Sequence, residues 1–252
     1  DKPMPKLRSR AWFDNPANAD MTALYLERYM NFGLSQAEFA EDGNETLRVA
    51  GYAFSIWSLI YAGILAYAVR QVLPQTGESE MINRMGWPSA VAFFGIGLWI
   101  IVAALNLKAA SVAIIFAALL ALLIPLLANA RLVRSLGRTE RDRLLVLWPL
   151  AALAGWLTVA APLNLITTAT AFDALPTALS PSGWAILAIA LTTLTALGVT
   201  FALRTLAYPL PASWGLLGAF VAEQADKPAV AFTALAGALA LLVGGVVLSF
   251  RL

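Results

Sequence analysis

The pattern of polar and apolar positions divides the chain at about residue 48. Residues 1–48 are polar and charged, and Ser35-x-x-Glu38 forms a possible capping box that predicts a short helix. From residue 49 onward, long apolar runs alternate with short polar breaks. We therefore divide the chain into a polar leader, residues 1–48, and a transmembrane helical domain, residues 49–252. The leader is expected to be partly ordered, and its residues 1 to about 45 are expected to pack little against the helices.

Seven apolar segments follow the leader, and most are long enough to cross a membrane as α-helices. About 20 residues span a hydrocarbon core of about 30 Å. The sixth segment is short and begins at two prolines, which favours a re-entrant or tilted helix. The segments are residues 50–72, 87–107, 109–130, 144–171, 183–206, 210–224 and 228–250. The pattern predicts an all-α fold, a polytopic membrane helical bundle with about seven transmembrane segments.

Composition supports the membrane assignment and limits the chemistry. Hydrophobic residues make up 60% of the chain and charged residues only 13%, against about 25% charged residues in a soluble domain. The chain has no cysteine and no histidine, so disulfides, thiolate catalysis and the commonest metal ligand are excluded. The net charge of +2 does not indicate nucleic acid as a partner. We assign no catalytic residue, no metal and no cofactor, and we expect the lipid bilayer to surround the protein.

The fourth apolar segment carries polar residues that would lack hydrogen-bond partners if they faced lipid. Trp156 and Asn164 are eight residues apart, which places them within about 80° of each other around a helix. An amide facing lipid would have no hydrogen-bond partner, so Asn164 is expected to face other helices. Pro162 removes the helical donor to the carbonyl of Thr158, whose hydroxyl could help to satisfy the local backbone.

Aromatic and amide residues on three segments could line one cavity. Phe54, Trp57 and Tyr61 share a helix face, and Trp99 and Asn106 are seven residues apart on the second segment. Such stripes are more often helix packing or an interface belt, and that interpretation stays open. The proposed ligand-binding residues are Trp57, Tyr61, Trp99, Asn106, Trp156 and Asn164.

These motifs resemble the tryptophan-rich sensory protein family, the relatives of TspO and the peripheral benzodiazepine receptor, in its larger bacterial branch. Phe54-x-x-Trp57-x-x-x-Tyr61 and the Trp156-to-Asn164 spacing match the family pattern. The resemblance implies a membrane receptor or carrier for a hydrophobic small molecule such as a porphyrin or sterol, with a homodimer as a candidate assembly. By this pattern we expect the core to lack the family's usual first helix. A tetrapyrrole-modifying membrane enzyme, or a fused or truncated chain without activity, remain alternatives.

Residues 8–35 resemble a different family, the amino terminus of dihydroxy-acid and sugar-acid dehydratases. The match includes Trp12-Phe13-Asp14-Asn15-Pro16 and the run from Met21 to Tyr29. Those enzymes hold an iron–sulfur cluster on cysteines, and this chain has none. We therefore expect no dehydratase activity. Whether the segment is a natural fusion or an artefact stays open.

Arginine and lysine in the short loops predict the orientation in the membrane. With seven crossings, nine arginines lie on one side, and Lys108 and Lys227 lie on the other. The nine are Arg70, Arg84, Arg131, Arg134, Arg138, Arg141, Arg143, Arg204 and Arg251. We expect loop 131–143 to be cytoplasmic, in a bacterial inner membrane. Glu223 is close to the end of a segment, where its side chain is expected to reach the membrane surface.

Overall fold

The computed structural model describes residues 33–74 and 76–250, and this part of the chain is helical without strands. The α-helices are α1 (Gln36–Glu41), α2 (Ile56–Val72), α3 (Glu80–Ala104), α4 (Lys108–Ala128), α5 (Ala130–Ser135), α6 (Trp148–Ala171), α7 (Pro181–Leu203), α8 (Pro209–Glu223) and α9 (Pro228–Phe250). Short 3-10 turns, Gly51–Ser55 and Thr76–Glu78, precede α2 and α3, and a π-helical segment, Arg143–Leu147, leads into α6. The predicted all-α membrane bundle is confirmed.

All seven predicted apolar segments are helical, and six of them have the length and composition to cross a membrane. The remaining one is α8, whose 15 residues rise by only about 22 Å. The short sixth segment is thus one helix that falls below the usual crossing length. Helix α3 begins at Glu80 rather than at residue 87, because the Ser79 hydroxyl accepts a hydrogen bond from the backbone N–H of Ile82 at 3.1 Å and caps the helix earlier.

Helix α6 is the centre of the bundle. In its most apolar window 72% of the residues are buried, against 22–39% in the other five candidate spans. It packs against α2, α4, α7 and α8. Its approach to the start of α8 is so close that a Cβ on Gly155 would lie 2.0 Å from the carbonyl oxygen of Tyr208. Helix α6 is therefore the most enclosed of the candidate spans.

Helices α3 and α4 form an antiparallel hairpin, joined by a tight turn at residues 105–107. Asn106 adopts a left-handed conformation with φ of 58°, which asparagine tolerates better than most residues. The backbone N–H of Leu107 then donates to the carbonyl of Val102 at 2.8 Å and closes the end of α3. The first turn of α4 begins directly at Lys108.

The end of the leader packs closely on the bundle, so the expectation of little packing is wrong for residues 33 to about 45. Gly33 has φ of 75°, and a Cβ there would lie 2.1 Å from the carbonyl oxygen of Ala104. The adjacent N–H of Leu34 donates to that same carbonyl at 3.0 Å. Phe39 of α1 is only 3% exposed and Leu47 only 6%. The leader positions before residue 33, including most of the dehydratase-like segment, lie outside the described residues.

A buried ion pair attaches the leader to the end of α8. Both carboxylate oxygens of Glu223 accept hydrogen bonds from Arg48, one from its backbone N–H at 2.5 Å and the other from its guanidinium at 3.0 and 3.2 Å. The Glu223 side chain is fully buried, so the expectation that it reaches the membrane surface is wrong. Its carboxylate, followed by that of Asp226, raises the pKa of the Arg48 guanidinium.

Candidate functional site

Four of the six predicted ligand-binding residues line one small cavity beside α6. They are Trp57 of α2, Trp99 of α3, and Trp156 and Asn164 of α6. The cavity has a volume of about 20 Å³, close to the room that one water molecule needs. The remaining lining residues are Gln36, Phe39, Ala40, Phe54, Ala160, Leu163 and Thr167. The leader, through α1, therefore supplies part of the wall.

Trp57 is the centre of the aromatic part of this cavity. Its ring stacks on Trp99, with centroids 6.3 Å apart and planes 26° apart, and meets Trp156 edge-on at 6.2 Å. Phe54 also contacts the Trp156 ring edge-on, and Phe39 contacts Trp99 in the same way at 6.5 Å. Offset and edge-on contacts of this kind favour a fixed ring geometry. The cavity wall is therefore rigid on its aromatic side.

Unpaired polar atoms are concentrated around the same cavity. Six of the seven buried side-chain polar atoms without a partner in the described part of the chain belong to its lining. They are Nε1 of Trp57, Trp99 and Trp156, Nδ2 of Asn164, Oγ1 of Thr167 and Oε1 of Gln36. A buried polar atom without a partner costs about 1–3 kcal/mol. A core that served only packing would avoid the free-energy cost of so many unpaired atoms. The cluster also leaves three indole N–H donors available at one place.

The Asn164 amide has one fixed neighbour and one unpaired atom. The hydroxyl of Ser111 lies 3.0 Å from Oδ1 of Asn164 and 2.7 Å from the carbonyl oxygen of Lys108. A hydroxyl has one proton and can donate to only one of these acceptors. Turning the amide over lets it donate to Ser111 instead and leaves its oxygen unpaired. In both orientations Asn164 keeps one polar atom available, in a cavity whose lining has no charged residue.

Tyr61 and Asn106 lie outside this cavity. The Tyr61 ring stacks on Trp57 with centroids 5.5 Å apart, but 43% of the residue is exposed on the outer side of α2. Asn106 is exposed in the α3–α4 turn, where its side-chain oxygen accepts a hydrogen bond from the ammonium of Lys108. Tyr61 and Asn106 therefore do not line the cavity that the other four residues share. A ligand contact at either residue stays a prediction.

Lys108 attaches the leader next to the cavity. Its ammonium forms an ion pair with Asp42, just beyond α1, and lies 5.0 Å from the centroid of the Phe39 ring. The Lys108 side chain is only 7% exposed. This cation holds the carboxyl end of α1 against the α3–α4 hairpin, so the leader wall of the cavity is fixed from both sides.

Comparison with known proteins identifies the family of the chain. A family model described as TSPO-like protein matches residues 21–247. The chain belongs to the TSPO-like family. Its Phe54, Trp57 and Trp156, which carried the resemblance in the sequence, meet at the aromatic cavity.

A second comparison finds a short match between this TSPO-like protein and an enzyme. The chain is 64% identical over 33 residues to the D-xylonate dehydratase of Caulobacter vibrioides, a match that covers 13% of this chain and 6% of that enzyme. Because so little of the enzyme is matched, the similarity carries no activity to this chain. No solved structure matches the chain.

A larger open recess adjoins the aromatic cavity of the TSPO-like chain. It has a volume of about 580 Å³ and shares Gln36, Phe54 and Trp57 with the cavity. Its other walls are residues 33–35 and Ala37 of the leader, and Ile100, Ile101, Ala103 and Ala104 of α3. The shared residues form the partition between an open apolar space and the small space next to the indole donors.

Sequence reasoning missed Gln36, Phe39 and Thr167 as cavity residues. The capping box at Ser35 and Glu38 correctly predicted a helix there, and both of its hydrogen bonds are formed. No local signal showed where that helix would dock. Thr167 could have been included from its spacing, since it lies eleven residues after Trp156 and so on the same face of α6.

Proposed function

We propose that the protein binds a hydrophobic small molecule, such as a tetrapyrrole or a sterol, at the aromatic cavity and its adjoining recess, as a receptor or carrier. The observation that supports this proposal is the cluster of unpaired indole and amide groups on an uncharged aromatic wall. A ligand with a carbonyl or other acceptor group would satisfy these donors and remove their cost. Family membership supports the same class of function.

The volumes of the aromatic cavity and of the recess indicate which part of the ligand each would hold. A cavity of about 20 Å³ is far below the 300–1,000 Å³ of typical ligand pockets, whereas the recess of about 580 Å³ falls within that range. We infer that the apolar body of the ligand lies in the recess. Only an acceptor group then passes the partition formed by Gln36 and Trp57 and reaches the indole donors.

The test is a porphyrin titration of the Trp156→Phe variant. Phenylalanine removes one indole N–H and part of the stacking surface but keeps most of the volume. The affinity should fall by about 1–2 kcal/mol, or roughly 5- to 30-fold. Binding is followed by the absorbance of the porphyrin, because removing an indole also changes the fluorescence of the protein. The melting temperature is measured on the same sample.

Trp148→Phe is the matched control. Trp148 begins the same helix but is 41% exposed and lies outside the cavity lining, so its replacement should leave the affinity unchanged. Unchanged affinity of Trp156→Phe, together with a lowered melting temperature, would show that the aromatic residues serve only helix packing.

A further inference from the structure

A buried arginine just before α6 has no opposite charge beside it. Arg143, the first residue of the π-helical segment, is only 9% exposed. Its guanidinium donates to the backbone carbonyls of Leu136 at 3.0 Å and of Arg204 at 3.4 Å. It forms no ion pair within the part of the chain that the structure describes. Because a buried charge is normally paired, Arg143 holds a positive charge that two carbonyls compensate only in part.

Two more arginines come to the same place and complete an arginine cluster of Arg134, Arg143 and Arg204. Arg134 of α5 donates to the carbonyl of Ala202 at 2.6 Å, two residues before Arg204. Neither Arg134 nor Arg204 forms an ion pair with any described residue. A guanidinium has five N–H groups, and the backbone contacts occupy two of Arg143 and one of Arg134. Most donors of the cluster are therefore free of partners among the described residues.

The acidic side chains of the same loop are engaged elsewhere. Asp142 pairs with Arg70 at 2.8 Å and accepts from the Ser79 hydroxyl at 2.5 Å. The carboxylate of Glu140 is exposed and accepts from the backbone N–H of Gly137 at 2.7 Å. Neither acid forms an ion pair with the arginine cluster, so its positive charge is open to an anion from outside the chain.

Arg204 has a backbone conformation that ordinarily belongs to glycine. It ends α7 in the left-handed region, with φ of 49°. A residue with a side chain loses free energy there that glycine would not lose. The contact with Arg143 uses the carbonyl of Arg204 rather than its side chain, so glycine would serve the backbone equally well. The guanidinium of Arg204 therefore points to a role beyond the backbone contact.

The arginine cluster lies where two candidate spans reach the membrane surface. One span begins at Arg143, and another ends at Leu203. The neighbouring side chains of Leu144 and Trp148 are 44% and 41% exposed, and tryptophan is enriched at the membrane–water interface. An anion at this depth can be joined to an apolar body that lies in the bilayer.

We propose that the arginine cluster binds the phosphate group of an anionic phospholipid. Guanidinium groups bind phosphate oxygens through paired N–H donors, and the Arg143 group is already oriented by its two carbonyl contacts. Phosphatidylcholine fits less well, because its choline cation would lie among the arginines. The bias of arginine toward the cytoplasmic side accounts for the exposed arginines of loop 131–143, but it requires no buried one.

The test counts bound lipids by native mass spectrometry of the full chain in a neutral detergent. The buffer contains about 0.15 M ammonium acetate, which screens exposed charges beyond about 8 Å. Phosphatidylglycerol and phosphatidylcholine with the same acyl chains are added in turn. The first phosphatidylglycerol should bind about tenfold more tightly than the first phosphatidylcholine, the factor that one hydrogen bond to a charged group contributes. This arm needs no variant.

Two variants then locate the preference. Arg204→Gly removes one cation but keeps the fold, since glycine suits a φ of 49° and retains the carbonyl that Arg143 contacts. It should reduce the preference for phosphatidylglycerol by about threefold, the factor of a half-exposed ion pair. Arg84→Gln is the matched control, because it removes the same charge at the same end of the bundle. Arg84 pairs with Glu80 and donates to Asn129 instead, so this variant should keep the preference.

Three results would overturn the proposal. Equal binding of the two lipids would leave the arginine cluster as a determinant of orientation only. Equal losses in Arg204→Gly and Arg84→Gln would make the preference an effect of overall charge rather than of this site. Displacement of phosphatidylglycerol by an equal concentration of glycerol 3-phosphate would identify a free phosphate ester, rather than a lipid, as the ligand.

Discussion

Replacing Glu223 by alanine should destabilise the protein strongly, although the residue lies at the end of a short helix. Its fully buried carboxylate accepts three hydrogen bonds from Arg48, and Lys227 lies 3.4 Å away. Removing one partner of a buried ion pair costs about 3–5 kcal/mol. The Arg48 side chain is 28% exposed, so water compensates part of the loss. We expect the free energy of unfolding to fall by about 2–3 kcal/mol.

Asp226→Asn is the control for this variant. Asp226 pairs with the same guanidinium at 2.7 Å, but its side chain is 65% exposed. An exposed pair contributes about 0–1 kcal/mol. The two carboxylates thus share one cation and differ in burial, so the comparison isolates the effect of burial.

The measurement is unfolding in mixed micelles as the fraction of denaturing detergent is raised, followed by circular dichroism. A double-mutant cycle with Arg48→Met separates the pair from its surroundings. If the ion pair attaches the leader, the losses in free energy of unfolding of Glu223→Ala and Arg48→Met should add up to much more than the loss of the double variant. A Glu223→Ala loss no larger than that of Asp226→Asn would refute the conclusion that the buried pair of Arg48 and Glu223 attaches the end of the leader to the bundle.

Two further predictions test the topology and the packing of α6. Cysteines introduced at the exposed positions Thr139 and Ala178 should be labelled from opposite sides of the membrane, with Thr139 on the cytoplasmic side; labelling of both from one side would mean that α6 does not cross. Gly155→Ala should destabilise by about 1–3 kcal/mol because its Cβ would meet the Tyr208 carbonyl at 2.0 Å. In contrast, Gly198→Ala, with no atom within 4 Å, should gain about 0.5–1 kcal/mol in thermal or denaturant unfolding; equal effects would contradict the close approach.

The helices could be predicted from sequence because the membrane leaves the backbone few choices. A segment in lipid must satisfy its own N–H and C=O groups, so a long apolar run becomes a helix. The same reasoning predicted the inward position of Asn164, which is only 4% exposed. Both conclusions depend on the solvent around the protein rather than on details of packing.

The positions of Asn106 and Phe39 could not be predicted in this way. The spacing of Trp99 and Asn106 implies a shared face only if the helix continues, and α3 ends at Ala104. Asn106 then turns away in a left-handed conformation. Phe39 reaches the cavity because α1 docks onto Trp99 and Lys108. That docking is a tertiary contact between distant parts of the chain, and no local pattern encodes it.

The two opposite faces of α6 explain why this helix organises the protein. Trp156, Asn164 and Thr167 lie within about 80° of one another and line the aromatic cavity. Thr158 and Pro162 point away from them, by roughly half a turn, and line a separate space between α4, α6 and α7. Because α6 is enclosed by other helices, it can hold polar groups on both faces, each next to its own space.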